Sequence, residues 1–224
     1  MHAVFIADVH ADIAAVGRLA EWLIYNNKKP DVIAIAGDLT QEGSEKVAGE
    51  VIDLLEKTGA RVLAVPGNMD SGGIIEMLGK RGAGIHLARA EVAGFAFAGL
   101  GGAKPANTYY RINMGELEAK KRLDAMLKGC NPKRTVIVSH CPPYGTALSK
   151  TGAGIDLGLR ALRDAIEKFM PLMCVCGHVH EAKGSEMLGE TLCINTGPLK
   201  HGSAAAVELM PGKKPKVEWI ELGE

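Results

Sequence analysis

The residues able to do chemistry collect at the ends of short apolar runs. "AVFIAD" leads through Asp8 and Val9 to His10, "DVIAIAG" to Asp38, and "RVLAVPG" to Asn68, Met69 and Asp70. "TVIVS" leads to His140, and "LMCVCG" to His178, Val179 and His180. A buried strand tolerates polar side chains only where they find partners, so a gathering of them at strand ends marks a shared site. Asp8, Asp38 and Asn68 are evenly stepped along the chain, at about the length of one strand–helix–strand unit (~30 residues). That spacing sets them side by side at the carboxyl edge of adjacent parallel strands, the crevice where open α/β sheets take ligands.

Two of these groups are doublets, D-x-H and H-x-H. In extended backbone, residues i and i+2 face the same side. Asp8 with His10, and His178 with His180, are therefore expected to aim paired donors at a common region. The donors are oxygens and imidazole nitrogens without a thiolate, which suits Mn, Fe or Zn in one or two sites better than a cysteine-based structural zinc. Asp8, His10, Asp38, Asn68, Asp70, His140, His178 and His180 outnumber the ligands of one tetrahedral zinc. Two ions sharing a carboxylate would use them, and Asp38, on the middle strand, is the natural bridge. Each piece alone has a plainer reading. Asp38 in "GDLT" could cap a helix, Asn68 could be a turn residue after Pro66-Gly67, and His140 could simply end a strand. Their coincidence at successive strand ends points to a metal.

The elements that must position them follow from periodicity. Apolar runs over 3–8, 31–38 and 61–68 read as buried strands. Helical spacing of Ile13, Val16, Leu19, Leu23 and Ile24, then of Val47, Val51, Leu54 and Leu55, separates them. This βαβαβ order implies a parallel sheet with right-handed crossovers. Further on, 91–102 and 135–140 read as strands. Residues 116–128 read as a helix with Asn113 and Glu116 in capping-box register, and 156–169 as another helix stopped by Pro171. Four closing strand-like segments ("LMCVCGH", "TLCINTG", "AAAVELM", "KVEWIEL") have only turns between them, which suggests an antiparallel or mixed second sheet. The expected architecture is one domain over residues 1–224, with two sheets and outer helices.

Composition narrows the function classes. The chain has 224 residues with 26 basic against 26 acidic side chains, so it carries no overall electrostatic footprint for nucleic acid or a membrane surface. No run approaches a membrane span. The N-terminus reads as a strand and not as a signal peptide. The 5 cysteines lack C-x-x-C spacing and are expected as buried free thiols in a reducing cytosol, which makes the expected location cytoplasmic.

The ordered set Asp8-Val9-His10, Gly37-Asp38, Gly67-Asn68-x-Asp70, His140 and Gly177-His178-Val179-His180 resembles the calcineurin-like metallophosphoesterases, from residue 5 to about residue 197. The resemblance implies a four-layer αββα sandwich of two mixed β-sheets flanked by helices, with two divalent metal ions at the strand ends. One ion would take Asp8, His10, Asp38 and His180, and the other Asp38, Asn68, His140 and His178. Val179 would then point back into the protein. Manganese is the expected metal, with iron, zinc or nickel as alternatives. Two such ions acidify a water and clamp phosphoryl oxygens. The implied activity is hydrolysis of a small phosphoester or nucleotide-type substrate, a diester before a monoester, with Asp38, Asn68 and His178 closest to the chemistry.

One departure bears on mechanism. The family commonly has G-N-H-[DE], and its histidine stabilises the transition state or protonates the leaving oxygen; here Met69 stands in its place, and a thioether donates no proton. His201, after "NTGPLK", is a candidate replacement. Asn107, Thr108 and Tyr109 in the stretch 101–115 are candidate substrate contacts. Two other classes stay open: a sandwich that binds or scaffolds without turnover, and a nuclease, against which the neutral charge argues.

Overall fold

The computed structural model of the chain describes residues 1–41, 43–105 and 109–223. Its first part follows the sequence periodicity. Strand β1 (His2–Ile6), helix α1 (Ile13–Tyr25), strand β2 (Val32–Ala36), helix α2 (Glu45–Glu56) and strand β3 (Arg61–Val65) form the βαβαβ unit, with β1, β2 and β3 adjacent and parallel. Each helix start is fixed by a short polar side chain. Asp12 accepts from the Ala15 amide at 2.9 Å, and Ser44 caps α2 in the same way.

After helix α3 (Gly72–Lys80) the chain crosses to a second sheet through strands β4 (Arg89–Val92) and β5 (Phe95–Leu100). Helix α4 (Glu116–Leu127), strand β6 (Thr135–Ser139), helix α5 (Arg160–Phe169) and strand β7 (Met173–Cys176) continue it. Strands β8 (Gly184–Leu188), β9 (Thr191–Asn195), β10 (Ser203–Glu208) and β11 (Lys216–Glu221) follow. The first sheet has the order β11-β10-β1-β2-β3 and the second β4-β5-β6-β7-β9-β8. In the first sheet β1, β2 and β3 are parallel, with β10 antiparallel to β1 and β11 to β10; in the second, β5, β6, β7 and β9 are parallel and the edge strands β4 and β8 antiparallel.

Three separate apolar layers make this a four-layer sandwich. Leu19, Leu23, Ile52, Leu55, Ile74 and Leu78 pack the first three helices onto one face of the first sheet. Phe5, Leu63, Phe97 and Val138 fill the space between the sheets. Leu123, Leu162, Ile166 and Ile137 pack α4 and α5 onto the far face of the second. Among the described residues no helix is long and apolar enough to cross a membrane.

Several local expectations are corrected. The four closing segments do not form one sheet: β7 and β9 complete the second, and β10 and β11 return to the first. The run 91–102 is a hairpin, because Ala93 and Gly94 both take positive φ (48° and 76°), the two-residue turn that matches strand twist. Helix α3 and strand β8 give weak sequence signals. The helix buries only Ile74 and Leu78 in a glycine-rich stretch, and the strand is a half-exposed edge. Helix α5 begins at Arg160, after a loop closed by Asp156.

The capping box at 113–116 does not form. Asn113 instead donates to the Tyr110 carbonyl, and Glu116 reaches across to the start of α5, accepting from the Arg160 and Ala161 amides at 3.1 and 2.8 Å. A carboxylate at a helix N-terminus satisfies orphan amides and complements the helix dipole. Glu116→Ala is therefore expected to cost about 1 kcal/mol. In a thermal melt that corresponds to a fall of roughly 2–4 °C in Tm, with Glu116→Gln retaining most of the lost stability.

Candidate metal centre

The side chains flagged by the sequence meet where the two sheets' carboxyl edges face each other. The first three strand exits run together: Asp8 donates its amide to Gly37 O, and His10 and Ala11 donate theirs to Asp38 O and Leu39 O, at 2.9–3.0 Å. Asp8, His10, Ala11 and Asp38 all have φ between 49° and 65°, and His178 has φ 69°. The doublets are thus not extended strand, and same-face alternation is not what pairs their side chains. Left-handed turns curl each strand exit so that the donors point inward. Such φ values in non-glycine residues cost on the order of 1–3 kcal/mol each and persist only where the surroundings impose them. Val179 is buried, as expected of the residue between the two histidines.

Close approach of backbone to the donors demands glycine at the neighbouring positions. A Cβ on Gly67 would overlap the Asp38 carboxylate, and one on Gly177 would collide with Asp8 and Ala7.

The donor atoms converge tightly. His10 Nε2 and His180 Nε2 are 3.2 Å apart. Asp8 Oδ1 lies 3.5 Å from His180 Nε2 and 4.0 Å from His10 Nε2. Asp38 Oδ2 lies 3.8 Å from His10 Nε2 and 3.6 Å from His140 Nε2. Asn68 Oδ1 is 2.8 Å from His140 Nε2, and the His178 and His140 ring centroids are 4.9 Å apart. All seven sequence-predicted ligands, Asp8, His10, Asp38, Asn68, His140, His178 and His180, thus belong to one cluster. Asp8, His10 and His180 form one group able to hold an ion, and Asp8, Asp38 and His140 another.

The electrostatics of this cluster call for a cation. Asp8 Oδ1 and His10 Nδ1 are buried without a hydrogen-bond partner. Burial disfavours charge on Asp8, yet the nearby His180, His140 and His10 hold its carboxyl below the usual range. Asp38 goes the other way: burial, with the Asp8 and Asp70 carboxylates behind it, pushes it up to about 7 against the pull of His140. Two buried carboxylates this close do not both stay ionised without a compensating charge. Burial drives His10 down to about 4 and His178 down to about 3, which keeps both as neutral lone-pair donors. His140 Nδ1 donates to Ala36 O at 2.9 Å, which turns Nε2 toward Asn68 and Asp38. Burial works against protonation of His140, but Asp38 and Asp8 raise its pKa all the same.

Two residues hold the cluster from behind. Asp70 is fully buried and accepts from the Leu39, Thr40 and Gly67 amides and the Thr40 hydroxyl at 2.8–3.1 Å, tying the second strand's exit to the third's. It is a structural staple. Asn195, which sequence reasoning passed over, donates to Gly177 O and Val179 O and accepts from Gly197 N, fixing the histidine doublet's loop. The only sequence signal for it was a polar residue closing the strand in "TLCIN".

The expected substrate contacts fare differently. Asn107 and Thr108 lie outside the described residues. Tyr109 is 79 % exposed. It is Tyr110 that meets the cluster, edge-on to His178 with ring centroids 5.8 Å apart. His201 is exposed, and among the described residues its side chain makes no hydrogen bond or ring contact with the cluster. Larger cavities of about 540 and 580 Å³ lie at other sheet edges, away from the donors.

The comparisons with known proteins agree with this geometry. Residues 1–182 match the family of calcineurin-like phosphoesterases. The chain belongs to that family. Its members generally hydrolyse phosphoesters and bind divalent metals, and this calcineurin-like phosphoesterase has Asp and His groups able to hold them. It is 32 % identical over 179 residues to an uncharacterized protein of Methanocaldococcus jannaschii, MJ1162, covering 75 % of this chain and 78 % of that one. Among solved structures it resembles TT1561 of Thermus thermophilus, with a TM-score of 0.78 and 18 % identity over 99 % of both chains. It also resembles a protein described as a novel archaeal phosphodiesterase, with a TM-score of 0.56 and 17 % identity over 99 % of this chain and 100 % of that one. At such identities these structural matches show the shared fold.

Two outcomes check the site. Because Asp38 is pushed up to about 7 and the His140 pKa is raised as well, an ion must displace protons from both, so Mn²⁺ affinity should rise with pH through about 7. Calorimetric titration in buffers of different ionisation enthalpy reads the released protons directly. Asp70→Ala strands buried amides and should cost about 3 kcal/mol in urea denaturation of the metal-free protein, with Asp70→Asn milder.

Proposed function

We propose that this calcineurin-like phosphoesterase holds two divalent ions and hydrolyses a phosphodiester bearing an activated leaving group. The observation that carries the reading is the meeting of seven oxygen and imidazole donors from five strand exits, with a partnerless Asp8 oxygen buried among them. The donor chemistry fits a divalent pair: carboxylates that resist joint ionisation, imidazoles of which His10 and His178 are held neutral by burial, and one amide oxygen.

Asp8, His10 and His180, with Asp38, would hold one ion, and Asp38, Asn68, His140 and His178 the other. When bound, such ions supply Lewis-acid charge and acidify a water. The chain's own contribution is positioning. Asp38 lies between the two groups of donors, and its Oδ1 accepts from the Met69 amide at 2.8 Å, which leaves Oδ2 for the ions. His140 is held in one orientation by Ala36 O. The Asp8 Oδ2 accepts from the His178 amide at 3.0 Å, which couples the first strand's exit to the histidine loop. These fixed donors fill the role that reorienting water would otherwise play, so little rearrangement accompanies the reaction.

Nothing at position 69 can protonate the leaving oxygen. The leaving group must therefore depart largely as its anion, and esters of acidic alcohols should be favoured. A diester preference also agrees with the phosphodiesterase among the structural relatives. Manganese is the metal we favour.

Turnover of bis(p-nitrophenyl) phosphate by the Mn²⁺-reconstituted protein tests the reading. Asp38→Ala should lower kcat/KM by roughly a thousandfold or more. Alkyl diesters should react slower than aryl ones by on the order of a hundredfold or more, the usual contribution of a general acid. Equal rates on aryl and alkyl diesters would remove the argument from Met69. A metal-loaded protein without any turnover would leave a binding or scaffold role instead.

A further inference from the structure

A cavity of about 200 Å³ opens directly beside the donor cluster, with His178 as one wall. Its other walls are Tyr110, Pro105 and Leu157, with Lys104 and Asp156 at the rim. Three features give it a definite chemistry. The first is an aromatic wall, the Tyr110 ring edge-on to His178. The Arg111 amide donates to Asn68 O at 2.8 Å, and Ala103 pairs with Ile112 and Met114 at 3.2 and 2.7 Å. The backbone that follows Tyr110 is therefore pinned to the same turn that carries Asn68. The second is the rim's charge. Asp156 spends both carboxylate oxygens on the Gly145 and Gly158 amides at 2.8 and 2.9 Å, whereas Lys104 is exposed and its ammonium enters no ion pair among the described residues. The third is size. The volume is below that of a whole drug-sized ligand site and fits one ring.

The geometry points to a leaving-group pocket, in which Tyr110 is the platform for a planar aromatic ring of the ester and Lys104 meets an anionic substituent on that ring's far side. This rests on the phosphoesterase reading above and adds which ester that site selects. With the phosphoryl group at the donors, His178 marks the boundary between the reacting centre and the ring. Pro105 and Leu157 offer apolar contact to the ring's edges. An aliphatic alcohol portion would leave the Tyr110 face without a partner, and a ring lacking an anionic substituent would leave Lys104 unused. Tyr110 and Lys104 are specificity residues here, not members of the donor set.

Phosphonates test this without turnover, because their carbon–phosphorus bond is not an ester. Calorimetry on the Mn²⁺-loaded protein would compare methylphosphonate, phenylphosphonate and 4-carboxyphenylphosphonate. Phenylphosphonate should bind roughly tenfold tighter than methylphosphonate, the scale of one aromatic stacking contact, and the carboxylated ring tighter again by a few-fold, as a partly exposed ion pair allows. Tyr110→Leu, which keeps apolar volume and so protects the fold, should erase the ring preference while methylphosphonate affinity holds. Tyr110→Phe should retain it. Lys104→Gln should remove only the gain from the carboxylate. Equal binding of methyl- and phenylphosphonate, or a ring preference that survives in Tyr110→Leu, overturns the pocket while the phosphoesterase reading stands. Failure of all three phosphonates and of inorganic phosphate to bind overturns both.

Discussion

Ion–dipole and charge–charge forces among a few buried groups set the terms for the rest of this molecule. Asp8 and Asp38 are both almost entirely shielded from water, and apart from one backbone amide each their polar surroundings are imidazoles and a second carboxylate. In a medium of low polarity an uncompensated carboxylate is costly. The protein without ions answers by keeping charge on Asp8 and a proton on Asp38. A cation satisfies both at once. The same interaction that makes the cluster unfavourable by itself makes it able to hold a metal ion, and the left-handed strand exits are tolerated because the hydrogen bonds around them hold the donors in place.

The two-sheet architecture is what brings those donors together. Neither sheet carries a complete set: Asp8, His10, Asp38 and Asn68 leave the first, while His140, His178 and His180 leave the second. The apolar layer of Phe5, Leu63, Phe97 and Val138 presses the sheets face to face, so their carboxyl edges open on one side. Polar bonds then lock the register across the gap. His140 reaches Ala36, the Gly102 amide reaches Pro66 O, and the Leu199 amide reaches Ala7 O. Burying apolar surface between the sheets supplies the free energy, and these directional bonds choose the alignment that the donors require.

Met69 and Tyr110 belong to the same functional argument. The turn at Asn68 accepts a backbone bond from Arg111, so the segment that follows Tyr110 is held beside the donor cluster, on the side where the proposed leaving group would sit. A chain without a proton donor at position 69 depends more heavily on the character of the leaving group. An aromatic wall at that place recognises the kind of ester that departs readily as an anion. Chemistry and recognition then point to the same class of substrate.

Much of this was legible in the residues themselves. The βαβαβ opening, the strand ends and all seven donors follow from short apolar runs closed by Asp, Asn or His, since burial and period leave few alternatives. Glycine before Asn68 and His178 was readable as a motif, though the clash it avoids was not. What the linear chain could not show depends on contacts between segments far apart in sequence. Glu116 looked like its own helix's cap and instead closes the start of α5. Asp70 counted as one more donor in the sequence, and it is the second strand's exit folded against it that makes it a staple instead. The closing strands divided between the sheets because β10 pairs with β1, a choice that local pattern does not encode. Tyr110 rather than Tyr109 faces the centre because a backbone bond to Asn68 sets the loop's phase. Sequence by itself determined which atoms can bind a metal and which strands carry them, because residue type and burial period are local properties. Only the tertiary structure decided which of those atoms face one another and what surrounds them, because distances across two packed sheets are set by the whole core.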